Sequence, residues 1–366
     1  MRHRFTLVFG LVSALIIVLL VWPLAAAVQG TYAKTAEIPV GGSPAFDYLN
    51  VDSAAKRLYL TNGTQVVVID TEKNAVIGKI PAGPGVHGIA IAPGDRGYIT
   101  NGGEDTVSIV DLKTLQVLDK VSTKGSDPSV RQNPDAICYE PKQKEIYAFN
   151  HSGKSATVID AAGKAVAQIP LSGTAETGQA DPALGRVFVN IEDTDSIDVI
   201  DIATHKVVAN WKVAPASSPT GMAIDLATHR LFVGGGPSTV MIDAKTGNVL
   251  ASAPIVSGTD ATWFDPAMQM VFSSGTGNGG GITIMHVDGP SKLTVVQTLA
   301  TAPRARTMAL DTATHRLYVA AQKYAPVDPN APPPPPPPPT ATGRGRPAGP
   351  PAIPDSFHVI VFGMSK

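Results

Sequence analysis

One pattern recurs along most of the chain. A basic or polar residue is followed by an apolar residue, an aromatic, and then small residues ending in Asn or Gly. It reads Arg57-Leu58-Tyr59-Leu60-Thr61-Asn62 and Arg96-Gly97-Tyr98-Ile99-Thr100-Asn101. It returns as Glu145-Ile146-Tyr147-Ala148-Phe149-Asn150 and Arg186-Val187-Phe188-Val189-Asn190, with weaker copies around Phe232, Phe272 and Tyr318. The aromatics fall at 59, 98, 147, 188, 232, 272 and 318, so successive gaps are 39, 49, 41, 44, 40 and 46 residues. A unit of that length holds four short strands. Seven copies predict an all-β, seven-bladed β-propeller built from four-stranded antiparallel blades.

The remaining strands of each unit lie around the aromatic. An apolar stretch precedes it, as in Gly88-Ile89-Ala90-Ile91 and Gly221-Met222-Ala223-Ile224. A β-branched run ending in aspartate follows, as in Val67-Val68-Ile69-Asp70 and Val199-Ile200-Asp201. Each such aspartate stands where a strand gives way to a turn, where its carboxylate bonds nearby backbone amides, so it reads as a turn residue and not a metal ligand. The last copy ends on a third strand, Phe357 to Phe362, and lacks a fourth. Glu37-Ile38-Pro39-Val40 resembles the end of the outer strands elsewhere, so the N-terminal strand is expected to complete the last blade and remove the open edges.

The Tyr-x-Thr-Asn signatures at 59–62 and 98–101 resemble the YVTN-repeat, or YncE-like, β-propeller family over residues 36–366. The first two copies match closely, and the last three keep only the aromatic and its pattern. The resemblance implies a seven-bladed propeller outside the cytoplasm and little specific chemistry.

The segment before the repeats reads as a targeting signal. Arg2, His3 and Arg4 give a basic start, Phe5 to Leu24 an apolar run, and Ala25-Ala26-Ala27 the small residues of a cleavage site. Residues 1–27 are thus expected to be a signal peptide cut at Ala27–Val28. A run of about 20 apolar residues also suffices to cross a bilayer, so an uncleaved anchor over residues 5–24 is the alternative. No cysteine stands at the end of the run, which excludes a bacterial lipoprotein. Both readings place the propeller outside the cytoplasm, periplasmic or secreted.

In the seventh copy the spacing from aromatic to third-strand end is much longer than elsewhere. The excess, residues 324–355, contains an unbroken proline run from Pro332 to Pro339. Proline cannot donate ladder hydrogen bonds, so an extended or disordered loop is expected. If it joins the second and third strands, it emerges on the binding face, where it either docks a partner or is a tolerated insertion.

Composition narrows the function. The 35 glycines and 32 prolines suit tight turns between strands better than helices. A net charge of −1 and a pI near 6.7 lack the basic balance of a phosphate-tracking protein, which disfavours nucleic acid. The single cysteine, Cys138, excludes an internal disulfide and a cysteine-rich zinc site, and is expected to be buried and structural. Gly275 to Gly280 satisfies a dinucleotide-binding glycine pattern in letters only, because a strand, not a helix, is expected after it. His205, His229 and His315 sit in similar Ala-Thr-His turns of different repeats and are read as outward-facing turn residues.

The candidate binding residues are those at which each innermost strand enters from the central face: Asp47, His87, Asp135, Glu176, Asp260 and Arg306. In a closed ring, equivalent positions face a common axis, so residues far apart in sequence converge there. Asn62, Asn101, Asn150 and Asn190 end second strands on the same face and are secondary candidates. No catalytic residue, metal site or cofactor is assigned. The expectation is an exported, monomeric, non-enzymatic propeller that binds a protein, a polymer or a small ligand. A lactonase- or lyase-like enzyme using the funnel carboxylates and His87, or a scaffold for a redox enzyme, are the alternatives.

Overall fold

A computed structural model describes residues 30–42, 45–326 and 351–365. The apolar leader with its cleavage site, and the proline run, lie outside them. The described residues form 28 strands in seven four-stranded sheets. Six sheets run in simple sequence order from inner to outer strand, and the seventh takes its outer strand from the chain's beginning. The inner strands are Phe46–Asp52, Val86–Ala92, Pro134–Glu140, Ala175–Asp181, Pro219–Asp225, Thr262–Asp265 and Met308–Asp311.

The recurring aromatic explains why the sheets stack into a ring. All seven aromatics are buried, and each packs against the next blade. Tyr59 meets Val86 and Ile89, Tyr98 meets Ile146, Tyr147 meets Val187, and Phe188 meets Met222. Phe232 meets Phe264, and Phe272 meets Met308. Tyr318 then packs on Leu49 and Leu58 of the first blade, which closes the circle. The core is therefore a set of interfaces between blades. Third strands such as Gln65–Asp70 are buried on both faces, which suits their unbroken β-branched run. Outer strands such as Lys206–Lys212 alternate exposed and half-buried positions.

The ring is closed by hydrogen bonds between the chain's first and last strands. Tyr32–Pro39 pairs antiparallel with His358–Met364, placing Ile38 opposite Val359 and Glu37 opposite Ile360. The closing strand begins at Tyr32, four residues ahead of the boundary at 36 read from the sequence. The insertion leaves the last blade between its second strand, Arg316–Ala321, and its third, His358–Met364. Its two ends form a short antiparallel stem, with Tyr324 opposite Ala352 and Ile353 N donating to Lys323 O at 2.9 Å. Because neighbouring strands are antiparallel, this stem sits on the face from which the inner strands enter.

Turn chemistry follows the sequence reading, with one correction. Asp70 Oδ1 accepts from the amides of Glu72 and Lys73, and Asp201 Oδ1 from those of Ala203 and Thr204. The three turn histidines are not simply outward-facing. Each reaches a carboxylate of the preceding blade: His205 to Glu145 at 3.0 Å, His229 to Asp181 at 2.7 Å and His315 to Asp265 at 2.6 Å. His229 and His315 occupy equivalent turns between first and second strands, whereas His205 lies between a third and a fourth. The glycine-rich loop before Gly281–Val287 holds only a three-residue 3-10 turn, Gly277–Gly279, followed by that strand.

Candidate functional site

The register of the inner strands defines the mouth of the channel. In each blade the aromatic pairs with an inner-strand residue: Asn50, Ala90, Cys138, Gln179, Ala223, Trp263 and Ala309 in turn. Three residues before each of these stand Asp47, His87, Asp135, Glu176, Thr220, Asp260 and Arg306. In the first four blades the register breaks across this position, between Phe46 and Leu49, Val86 and Ile89, Pro134 and Ile137, and Ala175 and Gly178. A bulge releases a residue from the ladder and re-aims its side chain. Here it also turns two consecutive residues, Asp47 and Tyr48, toward the axis.

The side chains meet across blade boundaries. His87 Nδ1 lies 2.6 Å from Asp47 Oδ2 and 3.6 Å from Asp135 Oδ1. Arg306 Nε lies 2.5 Å from Asp260 Oδ2. Tyr48 reaches from the first blade to the fourth and donates its hydroxyl to Glu176 Oε2 at 3.3 Å. His151 Nε2 stands 3.5 Å from the other oxygen of Glu176. Asp135 Oδ1 is out of solvent and accepts no hydrogen bond from any described residue.

Four carboxylates share this space with fewer cations, and their protonation reflects it. Burial, reinforced by the charges of Asp135, Asp260 and Asp47, pushes Glu176 well above the usual carboxylate range. Burial likewise lifts Asp135 to about 7, against the pull of His87, and Asp260 to about 7, against that of Arg306. Burial opposes charge on His87, yet Asp135 and Asp47 outweigh it and hold the imidazole up at about 9. The mouth is therefore a partly dry, carboxyl-rich well that keeps protons where it lacks other cations.

The neighbouring strands are tied together around these residues. Thr100 Oγ1 accepts from Gly88 N at 2.8 Å and donates to Asp135 O at 2.5 Å, joining the strands that carry His87 and Asp135. Gly88 allows that approach, since a Cβ there would sit 3.0 Å from Asp135 O. A Cβ at Gly102 would lie 2.8 Å from His87 Nε2, so the ring packs on bare backbone.

All six principal candidates stand at the mouth; the secondary candidates do not join them. Asn62 Oδ1 accepts from Ala45 N, Asn101 donates to Thr106 and Ser108, Asn150 to Ser155 and Thr157, and Asn190 to Gly221 O. These four asparagines are buried and tie their strand ends to adjacent strands or, for Asn62, to the residue before the inner strand. Tyr48, His151 and Glu192 were not read from the sequence. Tyr48 was signalled only by adjacency to Asp47, and His151 only by following a strand-ending asparagine.

Beyond Tyr48 the channel opens into a cavity of about 420 Å³ lined by Asn50, Ile91, Cys138, Tyr139, Gln179 and Trp263, among others. None of the six charged residues lines it. Cys138 faces this cavity and is partly exposed, not fully buried in a core as expected. Burial nevertheless pushes its thiol far up, which makes it a poor nucleophile.

The sequence reading assigns no metal, yet two groups have metal-ligand geometry. The ligand atoms of Asp47, His87 and Asp135 lie within 4.8 Å of one another, as do those of His151, Glu176 and Glu192.

No protein-family model matches the chain, and no curated protein matches it. Among solved structures, a chain from Kuenenia stuttgartiensis hydrazine synthase is similar, with a TM-score of 0.66 at 18% identity. The match covers 80% of this chain and 95% of that one. At that identity the likeness is one of fold. Some 1553 solved chains match, so the architecture is shared too widely to select a function.

Proposed function

We propose that this protein is an exported, non-enzymatic binding propeller of the YVTN-repeat type, whose channel mouth takes the positively charged group of a small ligand or protein segment. One observation carries the reading: Asp47, Asp135, Glu176 and Asp260 converge from four blades, with His87 and Arg306 as the cations paired to three of them. In a partly desolvated well, an ammonium or guanidinium group is stabilised more strongly than at an open surface. The bulged strands hold Asp47, Asp135 and Glu176, and the Arg306 pair holds Asp260, before any ligand arrives, which limits the ordering cost of binding.

Agmatine, which carries both an amine and a guanidinium, tests this directly by calorimetry against succinate. Saturable agmatine binding that weakens with salt and disappears in the Glu176→Gln/Asp260→Asn double variant is expected. Preference for succinate would refute the reading.

Export rests on the basic and apolar leader. Intact protein recovered from the envelope and beginning at Val28 would identify a cleaved signal. A chain beginning at Met1 in the membrane fraction would identify an anchor, and recovery from the cytosol would overturn export.

An enzymatic reading draws on the carboxyls of Asp135 and Asp260, which hold protons near neutrality and so have the makings of general acids. A lactone-hydrolysis screen with Asp135→Ala and His87→Ala separates it from simple binding.

A further inference from the structure

The channel mouth contains a site more specific than a carboxyl-rich well. We propose that Asp47, His87 and Asp135 form a binding site for one divalent first-row transition-metal ion. The proposal rests on the reading of the mouth as the binding site and names the ion it takes.

Three blades each deliver one ligand atom, and the three atoms lie within 4.8 Å of one another. His87 directs Nδ1 at both carboxylates, at 2.6 Å and 3.6 Å. A second feature suits a cation here: Asp135 Oδ1 is out of solvent and accepts no hydrogen bond from any described residue, the His87 imidazole being 3.6 Å away and beyond hydrogen-bond reach. An acceptor buried in that way is costly unless something positive fills its lone pairs.

The donor set selects the ion. Once the ion displaces the proton from Nδ1, one imidazole nitrogen with two carboxylates suits zinc, manganese, iron or cobalt, whereas calcium asks for six to eight oxygens. Three protein ligands would leave coordination positions for a further molecule on the metal.

The surrounding backbone keeps the ligands in register. Thr100 ties the strands of His87 and Asp135 together, and Arg131 donates to Gly102 O at 3.1 Å, holding the loop against which the His87 ring packs. Such outer partners orient ligands before the ion arrives.

The full chain, purified and stripped with chelator, is titrated with Zn²⁺ by calorimetry, with Ca²⁺ as the comparison ion. One zinc ion per chain with a dissociation constant of about 10 µM or tighter is expected, and no comparable binding of calcium. Removing a mere outer partner of a metal ligand typically weakens binding about 10–100-fold, so His87→Ala and Asp135→Asn should each cost at least about tenfold. His151→Ala should leave zinc binding intact. Co²⁺ loaded into the unaltered chain should show the visible spectrum of mixed nitrogen and oxygen ligation, a readout that requires no variant to fold. Absence of saturable zinc binding, retention in His87→Ala, or loss in His151→Ala instead would overturn the site. If zinc fails while agmatine still binds in a Glu176- and Asp260-dependent manner, the metal site falls and the binding mouth stands. Failure of both ligands removes both.

Discussion

His87 Nδ1 and Asp47 Oδ2 lie 2.6 Å apart across the boundary between the first and second blades. They are 40 residues apart in sequence, one repeat, and each occupies the same register position of its own inner strand. Their meeting is a consequence of ring symmetry: equivalent residues of adjacent blades become neighbours at the axis. The same rule brings Arg306 to Asp260.

Glu176 supplies a pH test. Burial raises its folded pKa above the unfolded value, so the native state holds this proton more tightly than the unfolded chain does. The stability conferred is present at low pH and declines as pH rises past the ordinary glutamate range, near 4.5. Glu176→Gln keeps the shape without the charge. Melting temperatures of variant and unaltered protein should coincide near pH 4, and the variant should melt about 2–4 °C higher at pH 8.

The blade interfaces predict where stability resides. Phe232 is fully buried, and its ring centroid lies 4.7 Å from that of Phe264 in the next blade. Phe232→Ala should cost about 3–5 kcal/mol in a denaturant titration, as large aromatic deletions in cores do. Phe232→Leu should cost distinctly less, because most of the volume remains.

The closing strand should matter as much as any interior one. Ile38 is fully buried opposite Val359. Ile38→Asp would place an unpaired charge there and should open the last blade to limited proteolysis at temperatures where the unaltered protein resists. Glu37, held to about 2 by hydrogen bonds from Lys34 and then Lys323, is a surface control on the same strand. Its stabilisation exists above the ordinary glutamate range and fades toward pH 2. Glu37→Gln should shift stability by less than about 1 kcal/mol at neutral pH and flatten the acid limb.

The insertion should be dispensable for the ring. Its ends are already held by the pairing of Tyr324 with Ala352 and by the hydrogen bond from Ala325 N to Pro351 O. Replacing residues 327–350 with a short turn lowers the loop-closure cost slightly, so the melting temperature should stay within about 2 °C. A lost capacity to capture an envelope partner after this replacement would assign the segment a docking role.

The ring was legible because its physics is local and repeated. An aromatic that must bury against the next blade recurs at every blade, so Tyr59, Tyr98 and Tyr147 announce the period. The turn aspartates were legible for the same reason, since Asp70 and Asp201 bond amides within three residues. His205 was misread because its turn resembles those of His229 and His315 in letters while lying elsewhere in the blade. Cys138 was misread because an apolar run does not tell which side of a strand faces a channel.

Sequence alone thus determined the all-β class, the sevenfold repetition, the shared last blade and the common register position of Asp47, His87, Asp135, Glu176, Asp260 and Arg306, each being a matter of spacing along one chain. Tertiary structure decided which of those residues touch. The contact of Tyr48 with Glu176, the placing of His87 between Asp47 and Asp135, and the raised carboxyls depend on bulges and burial at the axis. Those arise only when seven separate segments are brought into one desolvated space.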